Sequence, residues 1–417
     1  MNAKSMGNKK VVIMGLGYIG LPTAAAVSET DWLVHGVDVR SDIIDTINQG
    51  KIHIVEPGLE EVISKAIDKG TLFASMQPAE ADVFLIAVPT PFKGNFQPDI
   101  SYVISALEAI VPYIKEGNLV ILESTSPVKT LEILAETTFS LRPELKNKVS
   151  FAYCPERVLP GNVLFELKNN DRVIGGIDDE SNQKAIEFYS SFVRGELHLT
   201  NSRTAEMCKL TENSYRDANI AFANELSMIC DEAKINVWEL IKLANKHPRV
   251  NVLQPGIGVG GHCLAVDPWF LVADYPSVAN IIRTSREVNL KKTKWVKEMI
   301  LKQIEGNTEN TKKSVALMGL SYKPDIDDVR ESPAVDICLE IIASGAKVFV
   351  VEPNVESHPK FKLTSIYDAI SKADIVVFLV KHSIFYSLDL KGKSYFDFCG
   401  ISENAEFASR NGFPVNI

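Results

Sequence analysis

"VVIMGLGYIGLPTAAAVSE", residues 11–29, joins an apolar run of strand length to a glycine turn and an alanine-rich helical segment. Gly15, Gly17 and Gly20 fit G-x-G-x-x-G, and "LVHGVDVR" (33–40) follows as a second strand with Asp38 at its end. Strand, turn, helix and terminal acid in this register make a dinucleotide-binding fingerprint. Gly15 permits the tight turn and Gly17 lets backbone approach a pyrophosphate. The helix start, through Tyr18, Ile19 and Gly20, offers N–H groups to the anion. Asp38 accepts from a ribose 2′-hydroxyl and repels a 2′-phosphate, which favours NAD over NADP; Arg40, two residues on, is the feature that speaks for NADP.

Working outward, strand and helix alternate through "ADVFLIAVPTP" (81–91), "ISYVISALEAIVPYI" (100–114), "LVILEST" (119–125) and "VSFAYCPER" (149–157). The pattern predicts a parallel, doubly wound α/β domain. Loops after strand C-termini face the ligand crevice of such a sheet, so Thr90, Thr125 and "CPER" (154–157) are candidate cofactor or substrate contacts, with ordinary turn chemistry as the alternative.

A second alternation echoes the first: "VALMGLSY" (315–322) matches "VVIMGLGY" (11–18), "VFVVE" (348–352) matches "VHGVD" (34–38), and "ADIVVFLV" (373–380) matches "ADVFLIAV" (81–88). The chain therefore carries two Rossmann-like, doubly wound parallel-sheet domains. Ser321 and Pro324 stand where the first copy has Gly17 and Gly20, so the second copy should bind something other than a dinucleotide. Between the copies, residues 202–235 hold neither glycine nor proline and read as one long helix joining the halves and offering a dimer face; two helices broken near Asn219 is the alternative.

Bulk properties narrow the function. A chain of 417 residues with 46% hydrophobic and 23% charged residues supports two or three folded domains. A net charge of −9 with dispersed Lys and Arg disfavours nucleic acid, and no apolar run approaches a membrane span, so the expectation is a cytoplasmic protein. Six cysteines without a C-x-x-C pair or regular spacing point away from a disulfide framework or a metal site.

One cysteine stands apart. In "QPGIGVGGHCLAVDPWF" (254–270), Cys263 follows Gly256, Gly258, Gly260 and Gly261 and precedes Asp267. Backbone freedom there lets a thiol reach an electrophilic carbon, though by composition alone a structural cysteine beside a glycine turn is the commoner reading. Lys209 and Asn213, at i and i+4 of the long helix, place a cation and an amide on one face, which suits a developing oxyanion. A solvated Lys209 paired with Glu206 or Glu212 is the alternative. An NAD site with a nucleophilic cysteine can take an alcohol through aldehyde, thiohemiacetal and thioester to a carboxylate. A two-electron dehydrogenase, in which the cysteine is incidental, is the second reading.

Over nearly its whole length the chain resembles the UDP-sugar 6-dehydrogenases. The matching segments are "GLGYIGLP", "EPGL" (56–59), "VPTP", "EST", "CPERVLPG", "AEMCKLTEN", "GVGGHCLAVDP" and "GLSYKPDIDDVRESP". The resemblance implies an NAD domain over 1–200, a central helical dimerisation domain with the cysteine loop over 201–305, and a UDP-sugar domain over 306–417. It implies Cys263 as thioester-forming nucleophile, Lys209 and Asn213 at the oxyanion, Asp267 with Lys209 at the hydrolytic water, Thr125 ordering that water, and Glu156 in thioester hydrolysis. Arg157, Gly260, Lys323 and Arg330 are implied as substrate contacts, and Arg249 as one that reaches the substrate across a homodimer interface. "CPERVLPGN" and "HPRVN" look most like the branch acting on UDP-N-acetyl-D-mannosamine. A UDP-N-acetylhexosamine is therefore the implied substrate, with UDP-N-acetyl-D-glucosamine and UDP-glucose as alternatives.

Overall fold

The computed structural model describes residues 9–94, 96–158, 161–305, 312–390 and 392–411. Leu159 and Pro160 of "CPERVLPG" lie outside them. The chain divides into two units, one up to Thr211 and one from Glu212.

In the first unit the apolar runs become β1 (Lys10–Met14), β2 (Leu33–Val37), β3 (Leu72–Ser75) and β4 (Val83–Ile86). A short antiparallel pair follows, β5 (Phe92–Lys93) and β6 (Gln97–Pro98), and then β7 (Leu119–Leu122), β8 (Ser150–Tyr153), β9 (Arg172–Gly176) and β10 (Leu197–Asn201). The large sheet has the order β10-β9-β8-β7-β4-β1-β2-β3. Its two middle strands, β7 and β4, are apolar at every position because helices cover both faces. Val11 and Ile13 face Leu21, Ala24 and Val27 of the helix Gly20–Ser28, while Val12 and Met14 face Leu107, Ile110 and Leu134.

One pair departs from the parallel pattern: β9 runs antiparallel to β8, and β10 follows β9. Among its described residues the connection after β8 carries the seven-residue helix Val163–Asn169, and the chain re-enters the sheet at the end where β8 stops. A parallel return would need a full crossover.

The second unit holds β11 (Val315–Met318), β12 (Val348–Val351), β13 (Ile375–Phe378) and β14 (Ser394–Asp397), ordered β12-β11-β13-β14 and all parallel. The echo seen in the sequence holds in space, since β1 lies between β2 and β4 as β11 lies between β12 and β13.

The long helix is unbroken from Ser202 to Ala233, 32 residues or about 48 Å, and the division between the units falls within it. Asn201 Oδ1 accepts from Thr204 N–H at its start. It ends two residues before the sequence reading because Lys234 turns left-handed at φ 58° and Ile235 N–H reaches back to Cys230 O at 2.8 Å.

Candidate active site

The turn after β1 is shaped by what its glycines lack. Gly15 sits at φ +90°, and a Cβ on Gly20 would lie 1.8 Å from Gly15 O, so turn and helix pack this closely only without side chains. At Gly17 a Cβ would stand in open space. The helix Gly20–Ser28 begins without a side-chain cap, as befits an anion site. Asp38 Oδ2 accepts from Leu16 N–H at 2.9 Å and Oδ1 from Arg40 N–H at 3.0 Å, while the Arg40 side chain pairs with Asp42. Asp38 thus braces the turn, and each of its oxygens has a second lone pair for a ribose hydroxyl. These residues fit NAD.

The second copy keeps the brace and redirects the acid. Gly319 N–H donates to Val351 O at 2.8 Å, as Gly15 N–H does to Val37 O. Glu352 Oε2 accepts from the N–H groups of Leu320 and Ser321 at 2.7 and 3.0 Å. It also meets Nε2 of the fully buried His382 at 3.1 Å. Because His382 Nδ1 accepts from Asp325 N–H at 2.9 Å, Nε2 carries the proton and donates to Glu352. Burial works to raise the Glu352 carboxyl, but His382 and the backbone donors outweigh it and hold the group below the usual carboxylate range.

Back in the first unit, Thr90 Oγ1 donates to Thr125 O at 2.5 Å, so the loops after β4 and β7 meet. Lys209 does not pair with Glu206; its Nζ donates to the main-chain carbonyl of Glu156 at 2.6 Å. The Glu156 carboxylate turns inward, to Arg172 Nη2 at 2.8 Å and its own neighbour Arg157 N–H at 2.6 Å. Arg157 Nη2 reaches Asp171 O at 2.5 Å. Arg172 sits 3.8 Å from Glu123, which accepts from Tyr189 at 2.8 Å. Burial pushes Glu123 up to about 7 against the pull of Arg172.

Two further acids, given no role by the sequence, hold this region in place. Glu56 of "EPGL" accepts from Gly161 N–H at 2.9 Å and Val163 N–H at 2.8 Å, clamping the end of "CPERVLPGN". Glu206, wholly buried, accepts from Lys129 N–H at 2.6 Å and Leu131 N–H at 2.8 Å, capping the helix Thr130–Leu141 one turn before Lys209 in the chain.

In the second unit Cys263 is exposed, and its carbonyl accepts from the N–H groups of Val266 and Asp267 at 3.0 and 2.8 Å, which starts the helix Asp267–Asp274. Asp267 is buried, and its Oδ2 accepts from Asn213 Nδ2 at 2.5 Å. The loop before Cys263 lies against "SYKPDIDDVRESP": a Cβ on Gly260 would sit 2.5 Å from Glu331 O and 2.9 Å from Tyr322 Cβ. Desolvation and then the charge of Arg330 hold His262 below the ordinary imidazole value. Lys323 and Arg249 are exposed, and their side chains make no hydrogen bond or ion pair among the described residues.

Comparison with known proteins identifies the family. Three models of the UDP-glucose/GDP-mannose dehydrogenase family match in order: the NAD binding domain over residues 9–193, the central domain over 203–291 and the UDP binding domain over 316–402. The chain belongs to the UDP-glucose/GDP-mannose dehydrogenase family. UDP-N-acetyl-D-mannosamine dehydrogenase of Escherichia coli (strain K12) is 54% identical over 396 residues, covering 90% of this chain and 94% of that protein. NDP-N-acetyl-D-galactosaminuronic acid dehydrogenase of Ralstonia nicotianae is 50% identical, covering 91% and 92%. Among solved structures, UDP-D-ManNAc dehydrogenase from Pyrococcus horikoshii superposes with a TM-score of 0.88 at 36% identity, covering 94% and 96%. NAD is the cofactor of this UDP-glucose/GDP-mannose dehydrogenase family member, and the turn after β1 belongs to its NAD-binding domain.

Proposed function

We propose that the protein oxidises the C6 hydroxyl of UDP-N-acetyl-D-mannosamine to a carboxylate through a covalent bond to Cys263. The observation that carries this reading is an exposed thiol one turn ahead of a buried aspartate that Asn213 already holds by hydrogen bond. Bound NAD supplies the hydride acceptor. Gly15, Gly17, Tyr18, Ile19, Gly20, Asp38, Arg40, Thr90 and Thr125 are the residues assigned to hold it. Cys263 Sγ adds to the aldehyde carbon formed from the alcohol, and the resulting oxyanion is stabilised by the Lys209 ammonium and the Asn213 amide. A second oxidation, for which a second equivalent of NAD would supply the hydride acceptor, leaves a thioester. Thr125 and Asp267 order the water that cleaves it, returning the thiol and releasing the acid, and Glu156 serves the same half-reaction.

Arg157, Gly260, Lys323 and Arg330 are assigned to the UDP-sugar. Residues 1–200, 201–305 and 306–417 are assigned to cofactor, central and substrate domains. The manno sugar is supported by the names of the relatives in Escherichia coli and Pyrococcus horikoshii; the Ralstonia nicotianae relative makes the hexosamine class firmer than its configuration. We further propose a homodimer. Tyr215, Phe222 and Ile229 form an exposed apolar stripe at seven-residue spacing on the long helix, and Arg249 is open to a partner's substrate. No helix among the described residues is long and apolar enough to cross a membrane, and we place the enzyme in the cytoplasm, feeding bacterial surface polysaccharide synthesis.

The test is to count NADH per sugar with UDP-N-acetylmannosamine, UDP-N-acetylglucosamine and UDP-glucose, in the wild type and in Cys263→Ala. Two equivalents with the manno substrate, and loss of acid formation in the variant, are expected. One equivalent per sugar, or a full rate in Cys263→Ala, overturns the mechanism; two equivalents with another sugar alone overturns the substrate.

A further inference from the structure

Within the second unit the long helix faces the helix Asn280–Ile304 across a seam that is polar where a helix pair is ordinarily apolar. Asp217, Asn224 and Ser227 on one side meet Arg286, Asn289 and Lys292 on the other, and all six are buried. Arg286 Nη1 donates to Asp217 Oδ1 at 2.6 Å, Asn289 Nδ2 to the same oxygen at 2.8 Å, and Asn224 Nδ2 to Asn289 Oδ1 at 2.9 Å. Lys292 Nζ donates to Ser227 Oγ at 2.8 Å.

The seam does not end in itself. Asn224 Oδ1 accepts from Gly256 N–H at 2.8 Å, Thr293 Oγ1 donates to Ile257 O at 2.9 Å, and Arg286 Nη1 reaches Leu264 O at 3.3 Å. Those three main-chain groups bracket the glycine-rich loop that presents Cys263, two at its start and one immediately after the thiol. A Cβ on Gly258 would lie 2.2 Å from Thr293 Oγ1, so the loop is pressed onto this helix as well as bonded to it. Asp217 Oδ2 and Arg286 Nε have no hydrogen-bond partner among the described residues. A buried ion pair left partly unmet gains little stability over apolar packing of the same volume. Setting the loop is what this network supplies that apolar side chains cannot, because only polar groups can grip backbone N–H and C=O.

We propose that the buried network of Asp217, Asn224, Arg286, Asn289 and Thr293 positions the Cys263 loop, so that Asn224, Arg286 and Thr293 are positioning residues for the thiol. The inference rests on the reading of Cys263 as nucleophile only for its effect on turnover; its effect on the loop is independent of that reading.

Thr293→Val removes the donor to Ile257 O with almost no change of volume, and Thr293→Ser restores it. In the full-length enzyme, Thr293→Val and Asn224→Ala should lower kcat by roughly tenfold with KM for the UDP-sugar little changed, and Thr293→Ser should recover to within about twofold. The rate of Cys263 alkylation by iodoacetamide against pH, read by mass spectrometry of the Cys263 peptide, should shift in Thr293→Val and return in Thr293→Ser. Should Asn224→Ala fail to fold, the Thr293 pair alone decides. Wild-type alkylation profiles in the folded variants, or Thr293→Ser behaving no better than Thr293→Val, overturn the positioning role. Cys263→Ala run in parallel separates the two ideas: retained acid formation there defeats the nucleophile reading, whereas its loss alongside an unchanged Thr293→Val defeats only this one.

Discussion

Glu206 allows a prediction in which sign and size both follow from the structure. Its carboxylate is fully buried and takes two backbone N–H groups at the start of the helix Thr130–Leu141. Burial, working against those two hydrogen bonds, pushes it from an ordinary 4.5 up to about 7. A group raised on folding contributes stability that is complete below its unfolded value and is lost as pH rises through its folded one. Between pH 4.5 and 7 the fold should therefore lose roughly 3 kcal/mol at this one site. Glu206→Gln cannot ionise, so that loss disappears; its single acceptor oxygen leaves one buried N–H less well met, a cost of about 1–3 kcal/mol at every pH. Urea unfolding of wild type and variant at pH 5 and pH 8 gives the double difference. The variant should be the less stable at pH 5, and the gap should close or reverse at pH 8 by roughly 3 kcal/mol. A gap of constant size across that range would falsify the account of Glu206.

Other consequences are open to direct measurement. Gly20→Ala drives a Cβ into Gly15 O and should weaken NAD binding about a hundredfold, read by equilibrium titration; an unchanged Kd contradicts the proposed contact. Glu56→Ala strands the N–H groups of Gly161 and Val163, and should cost about 2–4 kcal/mol and speed their hydrogen exchange. Burial depresses Lys292 to about 7, so its contribution is full above 10.5 and is lost as pH falls through 7. Wild-type stability should therefore gain from pH 7 to 9 in a way that Lys292→Met does not, measured by thermal unfolding.

The elements that carried local signatures were legible in the sequence. The glycine turn with Asp38, the duplicated "MGL" strand, and a glycine-free, proline-free helix each announce themselves within about 30 residues, whereas the Asn213–Asp267 hydrogen bond was not foreseen, the family pattern having set Asp267 with Lys209. What stayed hidden has a common physical cause. Glu56, Glu206 and Asn224 each hold backbone N–H groups 32 to 107 residues away, and a backbone donor carries no residue-type signal. The inward turn of the Glu156 carboxylate depends on Arg172, which as a letter reads only as the first residue of a strand. The reversal of β9 was equally silent, because apolar periodicity encodes which residues face the core and says nothing of strand direction.

The two nucleotide-type turns amount to a natural control experiment on the acid that closes such a turn. Asp38 and Glu352 make the same bond to the main chain after the first glycine, yet only Asp38 keeps company with an open glycine and an uncapped helix, while Glu352 is sealed against His382. Bracing and the ligand recognition proposed for Asp38 are separable duties of one carboxylate: Glu352 performs the first while His382 occupies its remaining side. Restoring glycine at Ser321 would not by itself recreate a dinucleotide site, because the vacancy that matters is at Glu352, already filled by an imidazole.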